Sequence, residues 1–276
     1  MAKRNRTTTE RKKQIRINEG RGQGEGSDYI PWLKIQDVPS LGTVSRVKGW
    51  KTGRTHHLMS RNNELMYFYL LEWSPIVTDI REQYPLLPIE RTLEIAESFN
   101  IEHPKDPHSK ENIVMTTDFM ITVDRGNGRE LWARTIKPVE DLGKRVLEKF
   151  RIEHKFYEEQ GIDWGIVTNQ VIPRTLALNI EKIHDAYWID NHGNIDEKII
   201  SLVAPTLFNT LKDSSLTLSK EALLQDKVYG FESGTCLFIV KHMLARKRWF
   251  TDMNNDINFN SHLQLDLKQQ RSIDVG

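Results

Sequence analysis

Cysteine is almost missing from this chain of 276 residues: Cys236 stands alone, which excludes an intrachain disulfide and a cysteine cluster for zinc. Metal binding would then fall to carboxylates or histidines, and Cys236 itself reads as a small core residue. No run of about 18 apolar residues occurs, so nothing reads as a membrane-spanning helix. The start of the chain is basic and polar with no apolar stretch behind it, and the expected location is intracellular, with no membrane partner. Net charge is nearly absent too, at +1, which gives no global pull toward nucleic acid.

What is present is 38% hydrophobic and 28% charged, enough for two compact cores of soluble type. Charge is unevenly spread. Residues 1–16 hold seven Lys or Arg against Glu10, an arm suited either to tracking phosphates or to remaining a solvated tail. The glycines of Gly20-Arg-Gly-Gln-Gly-Glu-Gly26 neither follow a strand nor open a helix, so they read as a connector rather than a dinucleotide loop. Residues 1–28 are thus expected to be a basic flexible arm.

Three residues stand against their surroundings. Glu64 lies in an apolar run, Asp118 in Met115-Thr-Thr-Asp-Phe119, and Lys137 in Arg134-Thr-Ile-Lys-Pro138. Two carboxylates can hold hard divalent cations, and a lysine can orient water or neutralise a scissile phosphate. Ser60 can cap a helix over 61–73 with Glu64 in its first turn, where a solvated helix-start glutamate is the plain alternative. An extended segment follows over 76–88. Residues 113–123 and 130–137 read as strands joined by the turn Asp124-Arg-Gly-Asn-Gly128. Pro138 ends the second strand, a helix over 142–160 follows, and 164–168 reads as a buried strand returning beside the hairpin. His56 and His57 fit no zinc spacing and read as loop or packing residues. Arg81, Glu82 and Gln83 read as a salt-bridged polar patch or as groups bracing Glu64 or meeting DNA.

This order of elements matches a restriction-endonuclease-like α/β core with a mixed sheet. The stretches His56-His-Leu-Met-Ser60, Leu71-Glu-Trp73, Asp79-Ile-Arg-Glu-Gln-Tyr-Pro-Leu-Leu-Pro88, Val114-Met-Thr-Thr-Asp-Phe119 and Lys137-Pro138 resemble the TnsA endonuclease family of heteromeric transposases. So do Glu19-Gly-Arg-Gly-Gln-Gly24 and Asp28-Tyr-Ile-Pro-Trp32. The resemblance covers roughly 15–170. It implies a bacterial cytoplasmic DNA endonuclease with Glu64, Asp118 and Lys137 as catalytic residues. Glu64 and Asp118 would hold one or two Mg²⁺ or Mn²⁺ ions. Thr135 stands where the family often carries Gln or Glu as a further ligand; its hydroxyl is shorter and weaker, so a water, the Ile136 carbonyl or Thr135 itself would take that place. Glu153 falls where the family has a helix glutamate, either supporting the site or facing solvent.

The implied activity is cleavage of the 5′, non-transferred strand at transposon ends. The implied partners are that double-stranded DNA, a TnsB-like transposase and a TnsC-like ATP-dependent regulator. A stand-alone restriction or repair nuclease and a non-catalytic adaptor of the same fold are the alternatives.

Beyond 29–168 the texture changes, and 169–276 reads as a mainly helical, winged-helix-like domain. Helices are expected near 176–187, 197–211, 219–225 and 234–248, with a hairpin wing around Asn254-Asn-Asp256. The stretch 235–248 is the candidate recognition helix. Its Lys241, Arg246, Lys247 and Arg248 are candidates for contact with nucleic acid or a protein partner.

Overall fold

The computed structural model describes residues 7–38, 43–193 and 195–268. The chain divides into two compact units, 1–172 and 173–276.

In the first unit, α1 (Glu10–Asn18) precedes a short antiparallel hairpin of β1 (Ser45–Lys48) and β2 (Thr55–Leu58). Then come α2 (Met66–Trp73), β3 (Val77–Pro85), α3 (Ile89–Ser98), β4 (Thr116–Asp124) and β5 (Arg129–Ile136). α4 (Lys144–Glu158) and β6 (Asp163–Val167) complete it. The main sheet runs β3-β4-β5-β6, with the first three strands antiparallel and β6 parallel to β5. A parallel neighbour cannot be reached by a tight turn, which is why α4 lies between β5 and β6 in the chain. α/β with a mixed sheet is therefore the fold of this unit.

One face of the sheet is closed by α3 and α4. Ile95 and Ala96 of α3 and Ile152, Phe156 and Tyr157 of α4 pack with Met120, Ala133, Leu86 and Met115. α4 shows why its sequence forms a helix: Phe150, Ile152, Phe156 and Tyr157 recur along one side, and Lys and Glu fill the rest. On the other face, Tyr67 of α2 meets Phe119, and Phe68 meets His56 of β2.

The arm expected to be flexible is packed from Thr7 to Asp28. Thr9 caps α1 by accepting the Lys12 N–H, and the buried Lys13 ammonium donates to the Asn112 carbonyl at 3.1 Å. Asp106 accepts the Thr8 N–H at 2.7 Å. Arg21 pairs with Asp37 at 2.6 Å. Gly22, at φ 80°, passes so close to Pro85 that a Cβ would overlap the proline ring. The bonds of Thr8 and Lys13 join backbone and side chain far along the chain, which charge counting over 1–16 does not reveal. Residues 1–6 lie outside the described residues.

α2 carries Glu72, a buried carboxylate that accepts the Trp50 N–H. Burial pushes its pKa up from 4.5 to about 7, against that bond and the charge of Lys51. A folded pKa above the unfolded one means that stability is full at low pH and falls as pH rises through 7. Urea unfolding should therefore show Glu72→Gln losing roughly 2–3 kcal/mol less than the wild type between pH 5 and pH 8.

In the second unit, α5 (Arg174–His184), α6 (Glu197–Asp213), α7 (Leu218–Tyr229) and α8 (Thr235–Ala245) form a helical cluster. α8 is its centre: Cys236, Ile239, Val240, His242, Met243, Leu244 and Ala245 are all buried. The Cys236 N–H donates to the buried Asp226 carboxylate at 2.7 Å. The candidate recognition helix thus turns much of its surface into the core, while Leu237, Phe238 and Lys241 are half-buried and Arg246 and Arg248 are exposed. The candidate wing around Asn254-Asn-Asp256 is loop. Phe250 and Asp266 form one isolated bridge, and the loop between is pinned by Asn179, which donates to the Met253 and Asn255 carbonyls and accepts the Ile257 N–H.

No described helix is long and apolar enough to cross a membrane.

Candidate active site

The chain enters the α2 region through a π-type turn, Arg61–Leu65, in which the Leu65 N–H donates to the Ser60 carbonyl at 3.0 Å. Ser60 makes no side-chain cap. The wider turn carries Glu64 inward. Glu64 is 8% exposed and accepts the Met59 N–H at 2.8 Å, so it is not a solvated helix-start residue. Burial, with the charge of Asp118, holds its pKa well above the ordinary carboxylate value.

Asp118 sits at a slip in the pleat. Met120 packs against α4, and Thr117, three residues earlier, meets Glu153 and Tyr157 of the same helix. Strict alternation sends residues three apart to opposite faces, so the alternation breaks once between them. The opposite strand matches the break: Glu82 pairs with Phe119 and Tyr84 with Thr117, while Gln83 between them holds φ 51°. Asp118 is thereby released from the regular ladder. Its Oδ2 accepts the Ile136 N–H at 2.7 Å and its Oδ1 accepts the Gln83 side-chain amide at 3.4 Å. Burial raises its pKa from 3.8 to about 6, against those two bonds and the positive charge of Lys137.

Lys137 follows the last residue of β5, and its N–H donates to the Val167 carbonyl at 2.9 Å, extending the parallel ladder by one step. Its ammonium is partly exposed and stands 3.6 Å from Asp141.

Glu153 is 3% exposed, which excludes the solvent-facing reading. It accepts the hydroxyls of Thr117 at 2.5 Å and of Thr135. Burial lifts its pKa to about 7 despite these bonds, and the charge of Asp118 adds to the rise. The Thr135 hydroxyl, expected as a cation ligand, is thus engaged with Glu153.

Three carboxyl groups of one buried neighbourhood all resist ionisation, and Lys137 is the cation that offsets the charge of Asp118. All their side-chain donors are oxygens, the chemistry that suits a hard divalent cation. Among the described residues no three His, Cys, Asp or Glu side chains converge to hold an ion by themselves. A cation here would rest on Glu64 and Asp118, with backbone carbonyl or water completing its shell.

The polar patch beside the site resolves into separate parts. Glu82 is fully buried and accepts Arg54 through two nitrogens, His56 Nδ1 at 2.8 Å and the His57 N–H at 3.0 Å. Burial opposes its ionisation, yet His56 and Arg54 hold its pKa below the usual range. Burial pushes the His56 pKa down against the attraction of Glu82; Nδ1 faces that carboxylate and Nε2 lies 2.8 Å from the Thr52 hydroxyl. Arg81 pairs with Asp79 at 3.1 Å. Of the three patch residues only Gln83 reaches the site by hydrogen bond.

The basic candidates of the second unit cluster where α8 ends. Lys241 lies over the Phe259 ring at 5.1 Å, Arg246 over Tyr187 at 4.5 Å, and Arg248 pairs with Glu197 at 3.2 Å. Lys247, at φ 53°, turns the chain after the helix.

Residues 74–169 match the family model for the TnsA-like endonuclease N terminal, and residues 172–253 match that for the TnsA endonuclease C terminal. The chain is also similar to the transposon Tn7 transposition protein TnsA of Escherichia coli. The two are 43% identical over 246 residues, which is 89% of this chain and 87% of that protein.

Proposed function

The chain belongs to the TnsA endonuclease family, and on that footing we propose that it is the metal-dependent DNA endonuclease of a transposase complex, cutting the 5′, non-transferred strand at each transposon end. The observation that carries this reading is the meeting of Glu64 and Asp118 in one buried neighbourhood at the open end of the β4–β5 hairpin, with the charge of Lys137 acting on Asp118.

Glu64 and Asp118 are assigned as ligands of one or two Mg²⁺ or Mn²⁺ ions, with the Ile136 carbonyl as a further oxygen donor. When bound, such a cation polarises the phosphodiester and lowers the pKa of an attacking water. Lys137 faces the charge that develops on the phosphate oxygens and stabilises it there. Glu153, gripping Thr117 on β4 and Thr135 on β5, fixes the strand ends that present Asp118 and Lys137.

The partners on this reading are double-stranded DNA at the transposon ends, a TnsB-like transposase handling the 3′ strand, and a TnsC-like ATP-dependent regulator. Lys241, Arg246, Lys247 and Arg248 are assigned to contact with DNA or with one of these proteins. The test is cleavage of transposon-end DNA labelled on each strand, with Mg²⁺ or Mn²⁺ and the neighbouring transposase and regulator subunits. The expected product is a 5′-strand nick at the end of the element that disappears when this chain is left out. No such nick, with partners shown to be active, would transfer the assignment to a non-catalytic adaptor. Cleavage by the isolated chain would favour a stand-alone nuclease.

A further inference from the structure

Gln83 combines three observations that a strand residue seldom carries together. Its backbone is left-handed, φ 51°, in a stretch that is otherwise extended. A non-glycine residue held there costs on the order of 1–3 kcal/mol and persists only where its surroundings over-determine it. The surroundings do so: the Gln83 carbonyl accepts the Trp32 N–H at 3.2 Å, and its side-chain oxygen accepts the Thr116 hydroxyl at 3.2 Å. Glu82, the preceding residue, is locked by Arg54 and His56. The third observation is where the amide points, to Asp118 Oδ1 at 3.4 Å.

The other oxygen of that carboxylate is held by the Ile136 N–H. With one donor on each oxygen the carboxylate plane is fixed. With Ile136 alone the group can swing about its last torsion, a broad and soft one. The flip at Gln83 also lies opposite the slip at Asp118, so one backbone distortion both turns Asp118 out of the ladder and supplies the donor that orients it. We propose that Gln83 is a positioning residue that sets the orientation of the Asp118 carboxylate toward a divalent cation. This rests on the assignment of Asp118 as a ligand under the endonuclease reading.

Two substitutions keep the backbone and delete the reach. Gly takes a left-handed φ without strain, and Asn tolerates it while being one methylene shorter. Full-length wild type, Gln83→Gly and Gln83→Asn would be titrated with Mn²⁺ alone, followed by electron paramagnetic resonance, and then assayed for strand cleavage with the partner subunits. Melting would be measured on the same samples. The expected result is that both variants need about 10–100-fold more Mn²⁺ for half-saturation and for half-maximal cleavage, the usual scale for a group supporting a ligand. Their melting temperatures should equal or exceed that of the wild type.

Unchanged Mn²⁺ titrations in both variants, with a wild type that binds and cuts, would overturn the positioning role and leave the endonuclease reading intact. Weaker binding that only tracks a fall in melting temperature would overturn it as well, by showing a structural residue. A wild type that neither binds Mn²⁺ nor cuts beside active partners would remove the endonuclease reading, and the role of Gln83 with it.

Discussion

Asp118→Asn is expected to lower 5′-strand cleavage by more than about a hundredfold, since groups that merely support a ligand already cost 10–100-fold when changed. Asn is the informative replacement because it keeps an oxygen for the Ile136 N–H, 2.7 Å away, while removing the charge. Ala would leave that N–H without its partner, at a cost of about 1–3 kcal/mol where it is buried, and loss of activity would then mix with loss of fold. The charge that Asn removes is one that burial resists and that helps to raise the Glu64 pKa. The variant should therefore melt no lower than wild type while it fails to cut. Cleavage within tenfold of wild type would take Asp118 out of the chemistry.

The largest effect on stability should come from Glu82→Ala. The carboxylate is wholly buried and serves four donors from Arg54, His56 and His57. Removing it strands the Arg54 guanidinium, 9% exposed, without its anion, and breaking one side of such a pair costs about 3–5 kcal/mol. For a protein of this size that is a drop in melting temperature of roughly 10 °C. The pH dependence has a definite sign. The Glu82 and His56 pKa values both lie below their ordinary values in the fold, so the unfolded chain takes up protons first as pH falls. Stability from this cluster is complete above about pH 6.5, is eroded below it as unfolded His56 ionises, and declines further when unfolded Glu82 protonates. Glu82→Ala should show a shallower acid limb in a plot of melting temperature against pH. A melting temperature within 2 °C or so of wild type would mean that Arg54 finds water or another acceptor once Glu82 is gone.

Glu64 and Asp118 were legible because an acid in an apolar run breaks the pattern around it, and Lys137 because it follows a strand that Pro138 must end. The hairpin and its crossover helix were legible from the Asp124-Arg-Gly-Asn-Gly128 turn and from the spacing of Phe150, Phe156 and Tyr157. α3 went unread, although Pro88 before Ile89-Glu-Arg-Thr-Leu-Glu-Ile95 is a fair start signal, just where the extended reading of 76–88 stopped. β1 and β2 are four residues each, too short for a period to register. α1 is charged throughout and owes its place to single bonds such as Lys13 to Asn112, which leave no mark in composition. The basic end of α8 suggested a groove-reading helix, and the apolar residues around its body, from Cys236 to Leu244, are what build the core of the second unit. Gln83 was read only as part of a polar patch; its turn toward Asp118 was beyond reach, because a left-handed backbone is announced by Gly or Asn and glutamine in a strand announces nothing.

The solitary thiol has a practical consequence. Cys236 is buried at the heart of the second unit, and burial beside the Asp226 carboxylate drives its pKa far up, so the native thiol is shielded both from reagents and from ionisation. An alkylating agent reaches it only when that unit opens, and no cysteine in the first unit contributes a competing signal. The chain therefore carries an internal clock for the opening of one half of itself. The rate of thiol capture, read with and without DNA or a partner protein, reports which ligand steadies the helical unit without any label being introduced.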